Sequence, residues 1–136
     1  MDDITAITRT AASAMRAQSM RMRIVAENMA NAESTGSGPG EDPFRRKVVT
    51  FETVLDEASG ARIVEVSNVA EDPSPFEVTH APSHPAADAA GNVKMPNVNP
   101  MIELANMREA SRSFEANLNL LDAGRKMRSQ LIELLV

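Results

Sequence analysis

The chain reads as mainly α with a small β insertion, its N- and C-terminal helices pairing around a central segment of short antiparallel strands and loops. Three observations predict this. Residues 4–32 contain neither Gly nor Pro, and no Pro follows Pro100. Both stretches repeat apolar residues at helical spacing. The residues between them hold five of the six Gly, seven of the eight Pro and several β-branched runs.

In the first stretch, apolar or small residues recur at Ile4, Ile7, Ala11, Met15, Met22, Val25 and Met29, with Gln18 between. Steps of three, four and seven place them on one helix face. Asp2 and Asp3 stand at the start, where the helix dipole favours negative charge. The stripe reads in sevens (Ile4, Ala11, Gln18, Val25) or in elevens (Ile4 to Met15, Ala11 to Met22), which leaves the hand of a supercoil open. The row of sevens from Ile7 turns polar at Arg21 and Asn28.

The last stretch is entered through Lys94-Met-Pro-Asn-Val-Asn-Pro100. Pro96 and Pro100 hold Met95 and Asn99 extended, Asn97 is suited to bonding local backbone, and Val98 tucks in between. Asn99 fits a helix N-cap, Pro100 the first helical position and Glu103 the first turn. Leu104, Met107, Ser111, Phe114, Leu118 and Leu121 then make a stripe, continued after a shift by Gly124, Met127, Leu131 and Leu134 or Leu135. At ~1.5 Å per residue such a helix reaches roughly 50 Å. Neither stripe is stable alone. The two ends, 1–32 and 100–136, are therefore expected to form one terminal helical domain, with leftover apolar faces turned to other chains.

Residues 33–99 form a linker and a small β-rich module. The linker STGSGPG (34–40) ends the first helix. Strands are expected over 45–55, 61–69 and 76–80, where Val64 with Val66, and Phe76 with Val78, alternate as one buried face would. The segment APSHPAADAAGNV reads as a loop.

Composition narrows the function classes. With 136 residues and 43% hydrophobic content the chain is of single-domain size. Its nine Met, four Phe and absence of Trp and Tyr suit adaptable helix contacts more than an aromatic core. No Cys is present, which removes disulfides, thiolate nucleophiles and Cys-based zinc sites. The net charge of −5 is uneven: residues 1–32 carry 4 basic and 3 acidic groups, 33–99 carry 5 and 11, and 100–136 carry 5 and 5. That argues against a nucleic-acid surface. The start lacks the apolar core of a secretory signal, and no run has the ~18 apolar residues of a membrane span.

Chemistry-bearing constellations are thin. His80 and His84 are spaced as a metal pair on a helix, but Pro82 and Pro85 argue for a turn. The carboxylates at Asp56-Glu57 and Glu71-Asp72 have no partner placed by the sequence for acid-base work. Ser34, Ser37 and Ser59 lack a nucleophile-elbow frame, and GSGPG lacks the context of a phosphate loop. No catalytic, cofactor or metal residue is expected. A cytosolic helical adaptor or export chaperone, and a small hydrolase or metal protein using the two histidines, are the rival classes.

Several blocks carry a family resemblance. AENMANAEST (26–35) has the N-x-x-N-x-x-x-T pattern, Asn28, Asn31 and Thr35, of flagellar rod and hook axial proteins. DPSPF (72–76), the loop with His84, Pro85, Ala87, Gly91 and Val93, PNVNP (Pro96, Asn97, Val98, Asn99, Pro100) and SFEAN (113–117) followed by LNLLDAGRKM resemble the proximal rod proteins of the basal body. Phe114 and Asn92 depart from the aromatic residues usual there, and the linker is richer in Gly.

The resemblance implies a structural subunit with no cofactor. Such proteins leave through the flagellar type III export apparatus without a cleaved signal. They polymerise helically with copies of themselves and with rod proteins of the FlgB, FlgF and FlgG type, above FliE and the MS ring. It implies that the terminal helices form an antiparallel coiled coil. The assembly surface would be Ile4, Ile7, Met15, Met22, Val25, Met29, Leu104, Met107, Phe114, Leu118, Leu121, Met127 and Leu131. In the paired stripe, Leu118, Leu121, Met127 and Leu131 are expected to face Met15, Met22, Val25 and Met29.

Overall fold

A computed structural model describes residues 2–135. Helix α1 spans Asp2–Ala30 and helix α2 spans Pro100–Leu134. Between them lie strands β1 (Lys47–Asp56), β2 (Ala61–Glu71), β3 (Glu77–His80) and β4 (Asn92–Met95). They form two two-stranded sheets, β1 with β2 and β3 with β4. The four residues joining β1 to β2 allow only an antiparallel hairpin, closed by Gly60 N–H bonding Asp56 C=O at 2.7 Å. β3 and β4 pair antiparallel, with Thr79 opposite Val93.

The described residues cluster into two compact units. The first takes those up to Met22, Val49–Asn68 and those from Arg108 on. The second takes Arg23–Val48 and Val69–Met107.

In the first unit Ala11, Ser13, Ala17, Ala61 and Ala110 are buried. Small side chains on both helices permit close backbone approach. A Cβ on Gly124 would stand 3.4 Å from the Thr8 hydroxyl. The outer edge of β2 is covered by α1: the Thr10 hydroxyl donates to Arg62 C=O at 2.9 Å, and the Ser13 hydroxyl accepts from Val64 N–H at 3.0 Å. These bonds satisfy backbone groups that a free strand edge leaves open.

The second unit buries Ile24, Val25, Asn28, Ala86, Val93 and Glu103. α1 ends where the Asn31 amide bonds Glu27 C=O at 2.9 Å and its Oδ1 accepts from the Ser34 hydroxyl at 3.0 Å. α2 begins as expected at Pro100, its first turn capped by Asn99 Oδ1 accepting from Met101 N–H at 3.0 Å. Its 35 residues give about 50 Å of helix.

Several expectations need correction. The first helix stops at Ala30 rather than Ala32. The segment read as a loop ends in β4, so that Lys94 and Met95 belong to a strand. Val78 is 64% exposed and Phe76 precedes β3; the buried residue of that ribbon is Val93, on the strand that was missed. The linker is pinned: Glu41 Oε2 accepts from Ser37 and Gly38 N–H, and Phe44 N–H bonds Ser34 C=O at 2.9 Å. Glycine is needed at Gly36, where a Cβ would fall 2.7 Å from Glu41 C=O.

Candidate functional site

Five element junctions of the second unit meet in one polar cluster. Asn28, near the end of α1, is 1% exposed. Its Oδ1 accepts from Lys47 N–H at 2.9 Å and its Nδ2 donates to Lys47 C=O at 2.8 Å. The carboxamide thus occupies the place of a neighbouring strand at the first residue of β1. Nδ2 also lies 3.4 Å from Glu103 Oε2.

Glu103, in the first turn of α2, is fully buried, and an isolated buried carboxylate is strongly disfavoured. Arg46 Nε bonds its Oε1, and Arg46 Nη1 reaches Asp72 Oδ2 at 3.3 Å. Burial works against the Arg46 charge. The hydrogen bond and charge of Glu103, then those of Asp72, outweigh it and hold the guanidinium pKa above the ordinary arginine value. Asp72 lies below the usual carboxylate range. The Ser74 hydroxyl and backbone N–H bond its ionised form, and Arg46 adds to that.

The proline-flanked segment closes the cluster. Asn97 Oδ1 accepts from Arg46 N–H at 2.7 Å, while its Nδ2 donates to Asp72 C=O at 3.0 Å and Ser74 C=O at 3.1 Å. Arg45 donates to the same two carbonyls at 2.9 Å, with its guanidinium 4.1 Å from the centre of the Phe76 ring. No buried side-chain polar atom of this cluster lacks a partner inside the fold. That is a structural joint rather than a reaction centre. A cleft of about 590 Å³ beside it is lined by Glu27, Asn31, Asp42, Arg45, Lys47, Glu71 and Phe76, among others. Lys47 there pairs with Glu27 at 2.5 Å.

The first unit presents apolar surface. Leu118, Leu120, Met127, Leu131 and Ile132 are 39–49% exposed, and Leu134 and Leu135 exceed 80%. Ile4, Thr5, Arg128, Leu131, Ile132 and Leu135 line a groove of about 270 Å³. No helix is long and apolar enough to cross a membrane, and no group of three or more metal-binding side chains gathers, among the described residues.

A family model described as flagellar basal body rod FlgEFG protein C-terminal matches residues 89–134. Over 135 residues the chain is 49% identical to the flagellar basal-body rod protein FlgC of Agrobacterium fabrum, covering 99% of this chain and 97% of that one. The chain belongs to the FlgC family of flagellar basal-body rod proteins. It is 40% identical over 117 residues to FlgC of Salmonella typhimurium, covering 86% and 87% of the two chains. With FlgC of Bacillus subtilis it shares 36% over 138 residues, covering 90% and 92%. As a FlgC-family protein it is a structural component of the basal-body rod, not an enzyme, and it assembles with other basal-body components.

Of the residues in the blocks that carry the resemblance, Asn28 and Asn97 meet in the joint around Arg46 and Lys47, Asn31 and Asn99 cap the two helices, and Pro96 is buried. Thr35 and Val98 are half-buried and Pro100 is exposed. On α1 Ala11 and Val25 of the stripe read in the sequence are buried, whereas the early part of the α2 stripe is displaced by one residue. On α2 the buried row is Glu103, Ala110 and Gly124, one residue from Leu104 and Ser111. Leu104, Met107, Phe114 and Leu121 are half-buried, whereas Leu118, Met127 and Leu131 are exposed. On α1 Val25 is buried, Ile4, Met15, Met22 and Met29 are half-buried and Ile7 is 41% exposed. Sequence reading missed Arg46, Lys47 and Asp72 as members of the joint, and took Glu103 only for a first-turn charge. The signal available was the run Arg45-Arg46-Lys47, the densest positive stretch of an otherwise acidic middle.

Proposed function

We propose that this FlgC-family subunit works as a wall element of the flagellar drive shaft, polymerising helically and carrying motor torque to hook and filament through packing alone. Its terminal stretches, 1–32 and 100–136, pair as an antiparallel coiled coil and line the inner tube; residues 33–99 form the outer module. Three contacts support the antiparallel pairing: Thr8 beside Gly124 and Arg21 Nη2 bonding Glu109 Oε2 at 3.2 Å in one unit, and Asn28 beside Glu103 in the other. From one contact to the next, the α1 number rises as the α2 number falls.

Its partners are other copies, rod proteins of the FlgB, FlgF and FlgG type, FliE and the MS ring. It reaches the rod, which crosses the periplasm, through the type III export apparatus without a cleaved signal. The observation that carries the assembly reading is the apolar surface left open on α2, from Leu118 through Met127 and Leu131 to Leu135. Patches of this kind mark sites of association. The candidate interface positions, from Ile4 to Met29 on α1 and from Leu104 to Leu131 on α2, share this surface and the seam beneath it. The test is a Leu131→Asp chain expressed in cells lacking the native subunit. Rods absent from isolated basal bodies, with the secreted chain still helical, is the expected result; normal rods and swimming would sink the reading.

A further inference from the structure

We propose that the register of α2 along α1 is set by three non-apolar matches and not by the apolar stripes. This rests on the antiparallel pairing proposed above. The matches are Thr8 against Gly124, Arg21 with Glu109, and Asn28 with Glu103. The large apolar row of α2, Met107, Phe114 and Leu121, repeats every seven residues. After a slip of one heptad it would again offer Met, Phe or Leu to α1, so burial alone discriminates weakly between registers.

The three matches do discriminate. A slip of seven in one direction brings Leu131 to Thr8, where only glycine now stands, Ala116 to Arg21 and Ala110 to Asn28. The opposite slip brings Asn117 and Ile102 to the first two and carries the partner of Asn28 beyond the start of α2. Glu103 carries the largest share: it is fully buried, and away from Arg46 and Asn28 its carboxylate would be buried without partners. Removing one partner of a buried polar match penalises the slipped state rather than favouring the native one. That is how a single polar residue in a helix seam fixes alignment.

The absence of cysteine makes the register directly readable. Thr8→Cys with Gly124→Cys reports the native register, because a Cβ on Gly124 would stand 3.4 Å from the Thr8 hydroxyl, the place a thiol at that position takes in the same rotamer. Thr8→Cys with Leu131→Cys reports the slipped one. In the full-length chain under oxidation, the first pair is expected to close and the second to stay at background. With Arg21→Leu and Glu103→Leu added, the slipped disulfide should rise about tenfold or more, the factor expected for losing a charged match. Should that variant lose its helical signal, Arg21→Glu is used instead. It should raise the slipped disulfide, and Arg21→Glu with Glu109→Arg should return it to background. A slipped pair that stays at background in Arg21→Glu, while the native pair still closes, overturns the proposal and assigns register to the connecting module. A native pair that fails to close in the otherwise unaltered chain overturns the antiparallel pairing itself.

Discussion

The carboxamide of Asn28 engages both backbone groups of Lys47, at 2.9 Å and 2.8 Å, so that a helix side chain stands in for a missing strand. Replacing it by alanine leaves the Lys47 N–H and C=O without these partners at a half-buried position. At ~1–3 kcal/mol for each unsatisfied group, Asn28→Ala should cost about 2–4 kcal/mol. Urea unfolding should show this as a lower midpoint with an unchanged slope.

Gln18 presents the opposite case, its Oε1 buried with no hydrogen-bond partner among the described residues. Methionine has nearly the same shape and no unmet acceptor. Gln18→Met is therefore expected to stabilise the chain by about 1 kcal/mol, read as a higher melting temperature. A loss of stability would show that Gln18 has a partner the monomer does not reveal.

The folded-state pKa of Asp72 is lowered, by Ser74 first and Arg46 after it. A carboxyl lowered in the folded state contributes stability that is fully present above its unfolded value, about 3.9. It is lost as the pH falls through that value toward the lower folded one. Between about pH 5 and pH 3 the unaltered chain should thus lose more stability than Asp72→Asn. Parallel acid limbs in the two proteins would contradict the assignment.

Gly91 has φ +81°, and a Cβ there would lie 2.9 Å from Pro82 Cγ and 3.0 Å from His80 Cε1. Backbone strain and overlap act in the same direction. Gly91→Ala should cost ~1–3 kcal/mol and loosen the β3–β4 ribbon, seen as faster amide exchange at Ala81, whose N–H bonds Gly91 C=O at 2.9 Å.

Apolar periodicity made both helices legible, and the Asn99-Pro100 doorstep located the start of α2 to the residue, because capping chemistry is local. The hairpin was legible from its β-branched runs. β4 was not: Asn92–Met95 is a four-residue strand between Gly91 and Pro96, too short for alternation to register. The exposed Val78 misled because its ribbon has only two strands and buries Val93, which stands opposite Thr79, instead.

By itself the sequence determined the two long helices, the β-branched runs of the hairpin, the helix start at Pro100 and the motifs of the flagellar axial proteins. Each depends on neighbours close in the chain. Only the tertiary structure decided which side of α2 is buried at its start. Leu104 and Glu103 are adjacent, and period alone favours the leucine, yet the glutamate is the buried one. Arg46, 57 residues earlier, neutralises it, and Asn28, 75 residues earlier, meets its other oxygen. A charge is buried when a distant partner compensates its desolvation, and pairing over such separations leaves no periodic trace in the sequence.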